Sequence, residues 1–498
     1  MARIIVVGGG AGGLAVAARL GAKRHEVSVL ERNDYFGGKL RVHEGDGYRF
    51  DAGPTLFTLP AVYRDLFLKT GKPLEDEVGL SELEPGFWHR FADGSGLQLP
   101  GGSAGRTASA ITEQLGQEQG DQWRALMRRA GEIWKLARPE VIVKPVESRR
   151  QLWRMARNGK AVRTVAPWRS LASMSRAHFK DPRLRKLLQR YATYSGSDPR
   201  NSPGALITIP YVEQTFGLWH IDGGLGELRD ALVSRCERVG VELRPSTEVV
   251  GIRHDEQGVT GVKLADGRIE PADIVVANVD ALDLYGQLLP DSSFRAGPRS
   301  YSGFALMLGI KGGCPDLQRH NVLYSQDYRQ EFVSLAAGRP IADPTIYLHR
   351  VTDPGAAPAG HEAVFLLVNA PRHGQGRDAW DWSTGVDEYA ALVLARLAER
   401  GIELRDRISY QHIQTPLDLA SVSAADGAIY GQAFKGAASI AKRPKNVSPV
   451  PGLFLVGGST HPGGGLPMVG ISAEIVAEMI GRADGRKPSE SPSCSVKS

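Results

Sequence analysis

Ile4 to Val7 is an unbroken apolar run with no polar alternation, the pattern of a parallel strand buried on both faces. Val27 to Leu30 predicts a second such strand, and the stretch between them, from Gly12 to about Gly21, predicts a helix. The same rhythm returns late in the chain. A helix is expected from Leu225 to Val239, then strands over Val241 to Leu243 and Thr247 to Ile252. Val259 to Leu264 with the Asp266-Gly267 turn reads as a hairpin, and Ala272 to Ala277 as another buried strand. Between about 80 and 220 the periodicity is helical, whereas Phe304 to Ile310 and Ala363 to Val368 are strand-like and suit a sheet walling an apolar cavity. The last unit is a strand, Leu453 to Val456, a glycine-rich loop, and a helix expected over Ser472 to Ile480.

This is an α/β chain in which one doubly wound, Rossmann-like unit is interrupted and resumed. A prior of roughly 150 residues per domain gives about three folding units. The expected partition is 1–80 and 223–285 as the first two parts of a dinucleotide domain, with 421–482 as its third. An inserted helical cap occupies 81–222, a mixed β-sheet substrate domain 286–420, and a disordered tail 483–498.

The chemistry begins where the first strand ends. Gly8, Gly10 and Gly13 satisfy G-x-G-x-x-G: the first permits a tight turn, the second admits a pyrophosphate to the backbone, and the third lets the helix pack close to the strand. The helix start at Ala11 and Gly12 would aim free N–H groups at the phosphates. Glu31 closes the second strand within the reach, ~20 residues, at which a carboxylate accepts hydrogen bonds from a ribose diol. FAD and NAD share the pyrophosphate and adenosine read by these residues, so the motif alone leaves both open.

Composition is that of an ordinary globular protein, 42% hydrophobic and 23% charged, with no run apolar enough to span a membrane. The first strand starts within a few residues of Met1, so no signal peptide is expected. Cys236, Cys314 and Cys494 show neither paired nor metal-like spacing, which fits free thiols in a reducing cytoplasm, and no metal is expected. The net charge of +6 conceals a strongly basic stretch: Arg124 to Arg190 holds 19 Lys/Arg against 4 Asp/Glu. Trp134, Trp153, Met155, Trp168, Met174 and Phe179 punctuate it. Basic and aromatic residues on helices are what an anionic membrane interface recruits, which predicts peripheral attachment of a cytoplasmic protein. The alternative is a solvated helical face with its tryptophans in the core. No nucleic-acid-binding motif accompanies the charge.

Glu31 is followed by Gly37-Gly38-Lys39, an E-x5-G-G-[RK] continuation, and then by Phe50-Asp51-Ala52-Gly53-Pro54-Thr55. Both resemble segments of the amine oxidase and phytoene desaturase superfamily of flavoproteins, of glutathione reductase-like fold. That resemblance selects FAD. His178 to Arg185, Tyr191 to Pro199, Ile209 to Glu213 and Thr460-His461-Pro462-Gly463-Gly464-Gly465-Leu466-Pro467 narrow it to bacterial carotenoid desaturases of the phytoene desaturase family, over nearly the whole chain. Gly458 stands where ordinary amine oxidases carry an acid.

The resemblance implies that Gly8, Gly10, Ala11, Gly12, Gly13, Glu31 and Arg32 hold the ADP half of FAD. It places Gly38, Lys39, Gly53, Pro54 and Thr55 toward the flavin, Val249 at the adenine, and Gly458, Gly465, Leu466, Pro467 and Met468 along the ribityl chain and ring. It implies desaturation of a membrane-dissolved acyclic carotenoid by hydride transfer. Alternatives are a hydroxylated or methoxylated carotenoid, to which Ala192-Thr193-Tyr194 and Ser197-Asp198-Pro199 are similar, or another polyprenoid. A flavin amine oxidase and a non-catalytic prenyl-lipid binder are further alternatives, the latter opposed by the intact glycines. Glu213, Tyr211, His220 and His461 are candidate proton acceptors, each equally readable as a structural hydrogen-bonding group, and no catalytic residue is assigned.

Overall fold

A computed structural model describes residues 1–145, 158–290, 294–295, 297–376, 379–422, 424 and 426–482. Its centre is a five-stranded parallel sheet in the order Glu242–Arg244, Glu26–Leu30, Arg3–Val7, Ile274–Ala277, Leu453–Leu455. Strands far apart in sequence are in register, Ile4 beside Ile274 and Val275 beside Leu453. Ile4, Val6, Val29, Val275 and Val276 are at most barely exposed, as two-sided burial of uninterrupted apolar runs requires. The helices Ala11–Ala22, Leu225–Arg238 and Leu466–Ile480 pack together on one face, their Leu14, Leu228 and Val476 sharing one core. The hairpin expected at the Asp266-Gly267 turn forms between Val259–Leu264 and Ile269–Pro271, and Val249–His254 joins it as a third antiparallel strand.

A second, seven-stranded sheet runs Ile408–Gln414, Ser302–Lys311, His361–Ala370, Ile346–Val351, His320–Leu323, Phe87–Arg90, Gly96–Leu99. Its last two strands come from the region read as helical. Phe87, His89, Leu97 and Leu99 are buried at alternate positions, a period-two pattern too short to stand out beside the helices that follow from Ala104. The helices Gln117–Ala137, Leu171–His178, Pro182–Arg190 and Thr208–Phe216 then close over this sheet. Trp123 stacks on Phe179 at 5.6 Å between centroids and donates its indole N–H to Gln214. Of the residues expected on a membrane face, Trp134, Met174 and Phe179 are therefore core, Trp168 is 67% exposed, and Trp153 and Met155 lie outside the described residues. The final helix starts at Leu466, earlier than expected, because Pro467 fits the first turn, where its missing N–H costs nothing.

On the strand Ile346–Val351 of the second sheet, His349 is buried with neither ring nitrogen partnered among the described residues, stacked 4.7 Å from His320. Burial, with Arg319 and His220 nearby, pushes its imidazole from 6.5 down to about 3. Between those values the unfolded chain holds the extra proton. The stabilisation is therefore complete above pH 6.5 and is lost as pH falls toward 3, about 2 kcal/mol of it by pH 5. Glu213 and Glu331, pushed up by burial from 4.5 to about 7, act oppositely and cost stability as pH rises from 4.5 toward 7. The variant His349→Phe should thus shrink the loss seen between thermal melts at pH 7 and pH 5. An unchanged difference would show that this imidazole does not govern acid sensitivity.

Candidate functional site

Val7 and Leu30 at their strand ends, and Asn278 just past the strand Ile274–Ala277, border one crevice, at the carboxyl edge of the parallel sheet where doubly wound folds bind ligands. Gly8 turns with φ +96, and a Cβ there would sit 2.9 Å from the Asn278 carbonyl oxygen. A Cβ on Gly12 would approach Asn278 Oδ1 to 2.6 Å, and one on Gly13 would approach the Gly8 carbonyl oxygen to 2.1 Å. The helix Ala11–Ala22 has no side-chain cap at its N-terminus, so its first N–H groups face the crevice free for an anion. Glu31 receives hydrogen bonds from the Gly9 N–H at 2.7 Å and from the Asn33 backbone and side chain at 3.0 and 2.7 Å. One carboxylate thus ties the glycine loop to the second strand and still borders the crevice.

The crevice continues without a break into an apolar chamber, together a cavity of about 790 Å³. Gly8, Gly10, Ala11, Gly12, Glu31, Arg32, Gly38, Lys39, Gly53, Pro54, Thr55, Val249, Gly458, Gly465, Leu466, Pro467 and Met468 all line it. Gly13 does not; its place is in the packing of helix against strand. Arg32 also donates to the Ser421 carbonyl. Lys39 donates to the carbonyl of Ile429, and burial draws its ammonium down from 10.5 to about 8. Asp51 of the motif instead turns away: its carboxylate receives the Leu225 and Gly226 N–H groups at 2.8 and 3.0 Å, capping the helix Leu225–Arg238. A loop near the flavin corner is thereby fixed to the second segment of the dinucleotide fold.

Three participants escaped the sequence reading. Asn278 follows the strand Ile274–Ala277, donates to the Gly8 carbonyl at 3.1 Å and lines the crevice. Its position just past a parallel strand was the available signal. Arg443 is buried and donates to the carbonyls of Thr460, Gln432, Tyr430 and Gly458, bracing the C-terminal glycine loop. Arg190 ends the helix Pro182–Arg190 and lines the chamber. No sequence signal marks either arginine, because their partners are set by the tertiary fold.

The chamber walls include Ile133, Trp134, Leu206, Ile209, Val212, Phe365 and Leu367. Of the candidate proton acceptors, Glu213 and His461 line the cavity, Tyr211 and His220 do not. Glu213 accepts the Tyr191 phenol at 2.7 Å, His461 Nε2 lies 3.0 Å from the Lys144 carbonyl, and His220 is paired with Asp353 at 2.7 Å. The Thr55 and Tyr347 hydroxyls share a 2.6 Å hydrogen bond, and His320 Nδ1 lies 2.7 Å from the same phenol.

Comparison with known proteins agrees with this geometry. The family profile of flavin containing amine oxidoreductases matches residues 11–480. The chain is 32% identical to a 4,4'-diapolycopene oxygenase of Methylomonas sp, covering 96% of this chain and 98% of that protein. It is 31% identical to a 1-hydroxycarotenoid 3,4-desaturase of Flavobacterium sp. strain P99-3, covering 96% and 99%. Among solved structures, an oxidoreductase from Methanosarcina mazei superposes with a TM-score of 0.61 at 16% identity, covering 96% of this chain and all of that one, a likeness of fold.

Proposed function

Because the chain belongs to the family of flavin containing amine oxidoreductases, and is an FAD-dependent oxidoreductase, we propose that its reaction is the desaturation of an acyclic carotenoid. The observation that carries this is the single cavity in which the dinucleotide crevice opens into an apolar chamber. The glycine cradle, the uncapped helix start and Glu31 fit the ADP half of FAD, and Gly38 to Thr55 with Gly458 to Met468 would flank the rest. The bound flavin would supply a two-electron acceptor for a hydride from an allylic carbon, and the proton given up by the neighbouring carbon would pass to one of the cavity-lining bases, Glu213 or His461. The protein's own share is positioning and dryness: Trp134, Leu206, Val212 and Phe365 form the wall against which an extended polyene would lie.

The test is spectroscopic. Holoenzyme incubated with a carotenoid in liposomes should shift the polyene spectrum to the red, and amines should release no peroxide. Bound flavin with no polyene change, or peroxide on amine addition, would overturn the reading.

Such substrates partition into lipid, which motivates a docking surface. Lys160, Arg163, Pro167 and Trp168 are each exposed, a charged and aromatic combination suited to anionic headgroups. The protein should sediment with vesicles containing anionic lipid at low salt, and Trp168→Ala with Lys160→Glu and Arg163→Glu should weaken that several-fold. Equal binding to neutral and anionic vesicles would remove the electrostatic basis.

A further inference from the structure

Arg190 is an unusual group to meet in a hydrocarbon-binding chamber. Its guanidinium borders the cavity, and no carboxylate lies within ion-pair distance of it among the described residues. Its one described hydrogen bond is a long one, Nη1 to the Tyr194 hydroxyl at 3.2 Å. Aromatic faces hold the rest: Cζ stands 5.3 Å from the Tyr194 ring centroid, and 5.8 Å from those of Phe87 and Tyr347. Tyr194 and Glu213 border the same part of the cavity, and Tyr347 links it to Thr55. The fold has thus gathered a fixed cation, phenols and the Glu213 carboxyl into one polar patch beside the apolar wall.

A pure hydrocarbon gains nothing from this patch. Filling the chamber with one strips water from the guanidinium and leaves most of its N–H groups without acceptors, which is costly for a buried donor, most of all a charged one. A substrate carrying an oxygen acceptor at that point removes the penalty, and arginine presents several N–H donors in a fixed fork. We infer that Arg190, with Tyr194 beside it, is a specificity-determining site that binds a hydroxyl, ether or carbonyl oxygen on one end of the polyene. The inference rests on the carotenoid reading and deepens it: the substrate is an oxygen-bearing polyene, seated with its polar end one side chain from Thr55.

Neurosporene and 1-hydroxyneurosporene share a chromophore and differ at that end, so they are the probes. Binding of each to the holoenzyme is read from quenching of tryptophan emission, Trp134 being in the wall, and is independent of turnover. The hydroxylated polyene should bind about tenfold or more tightly, the worth of a hydrogen bond to a charged donor. Arg190→Met should abolish that preference by weakening only the hydroxylated polyene, Arg190→Lys should keep part of it, and Tyr194→Phe should reduce it a few-fold. Bound flavin reports whether each variant is folded. Should Arg190→Met lose flavin, the preference of the unaltered enzyme and of Arg190→Lys decides. Equal affinity for the two polyenes in the unaltered enzyme, or parallel loss of both in a flavin-bearing Arg190→Met, would overturn the inference. If neither polyene binds nor is desaturated, it is the carotenoid reading itself that has failed.

Discussion

Gly13→Ala should yield a colourless protein, with bound FAD reduced at least a hundredfold and no desaturation. The added Cβ would lie 2.1 Å from the Gly8 carbonyl oxygen and 3.1 Å from Asn278 Nδ2. Neither neighbour is the free end of a flexible chain: Gly8 is backbone, and Asn278 is already held by its hydrogen bond to that same oxygen. The helix Ala11–Ala22 must therefore move off the strand Arg3–Val7, and its free N–H groups leave the position at which they meet the pyrophosphate. Gly105→Ala is the control. It lies in the helix Ala104–Leu115, its nearest neighbour would be Ser103 Oγ at 3.8 Å, and alanine there should be neutral or stabilise by up to about 1 kcal/mol. Visible absorbance and flavin content after gel filtration separate the two. Full flavin in Gly13→Ala would mean that the motif glycine does not serve close packing.

The contrast between these glycines shows what sequence can carry. Gly8, Gly10 and Gly13 act through local chain geometry, so spacing alone reveals them, and Glu31 follows because the length of one strand–helix–strand unit is nearly fixed. The C-terminal residues Gly458, Gly465, Leu466, Pro467 and Met468 came from family resemblance, and they border the same cavity as the N-terminal glycines although the chain separates them by most of its length. Burial of a helix was harder to read. Trp134, Met174 and Phe179 sit among arginines that line the solvent side of their helices, so a core stripe and an interfacial stripe have the same periodicity. The strands Phe87–Arg90 and Gly96–Leu99 were hidden for a related reason: a four-residue edge strand gains its stability from neighbours such as His320–Leu323, contributed from far along the chain. Asn278, Arg190 and Arg443 share that property, since each acts on partners brought together only by the finished fold.

Arg443 gives the second large effect. A buried cation normally has a carboxylate opposite; this one, among the described residues, is satisfied by four backbone carbonyls, those of Thr460, Gln432, Tyr430 and Gly458. Burial lowers its guanidinium from 12.5 to about 10, still charged at any pH at which the enzyme would be assayed. Two of the carbonyls belong to the glycine-rich loop that precedes the helix Leu466–Ile480, and the Asn446 amide completes the brace by donating to the His461 carbonyl at 3.0 Å. Arg443→Met fills the volume but leaves those acceptors unpaired in a dry site, at about 1–3 kcal/mol each before relaxation. The loop should relax by pulling away from the cavity, because water can reach its carbonyls only there. The expected result is a protein that melts many degrees lower and retains little flavin, with excess FAD restoring colour in part. Arg443→Lys, whose single ammonium cannot span four carbonyls from two segments, should fall between the two in both flavin content and melting temperature. Were Arg443→Met to keep its flavin and its melting temperature, the loop would have to be held by its own glycines and by Asn446, and the arginine would be a passenger in the wall.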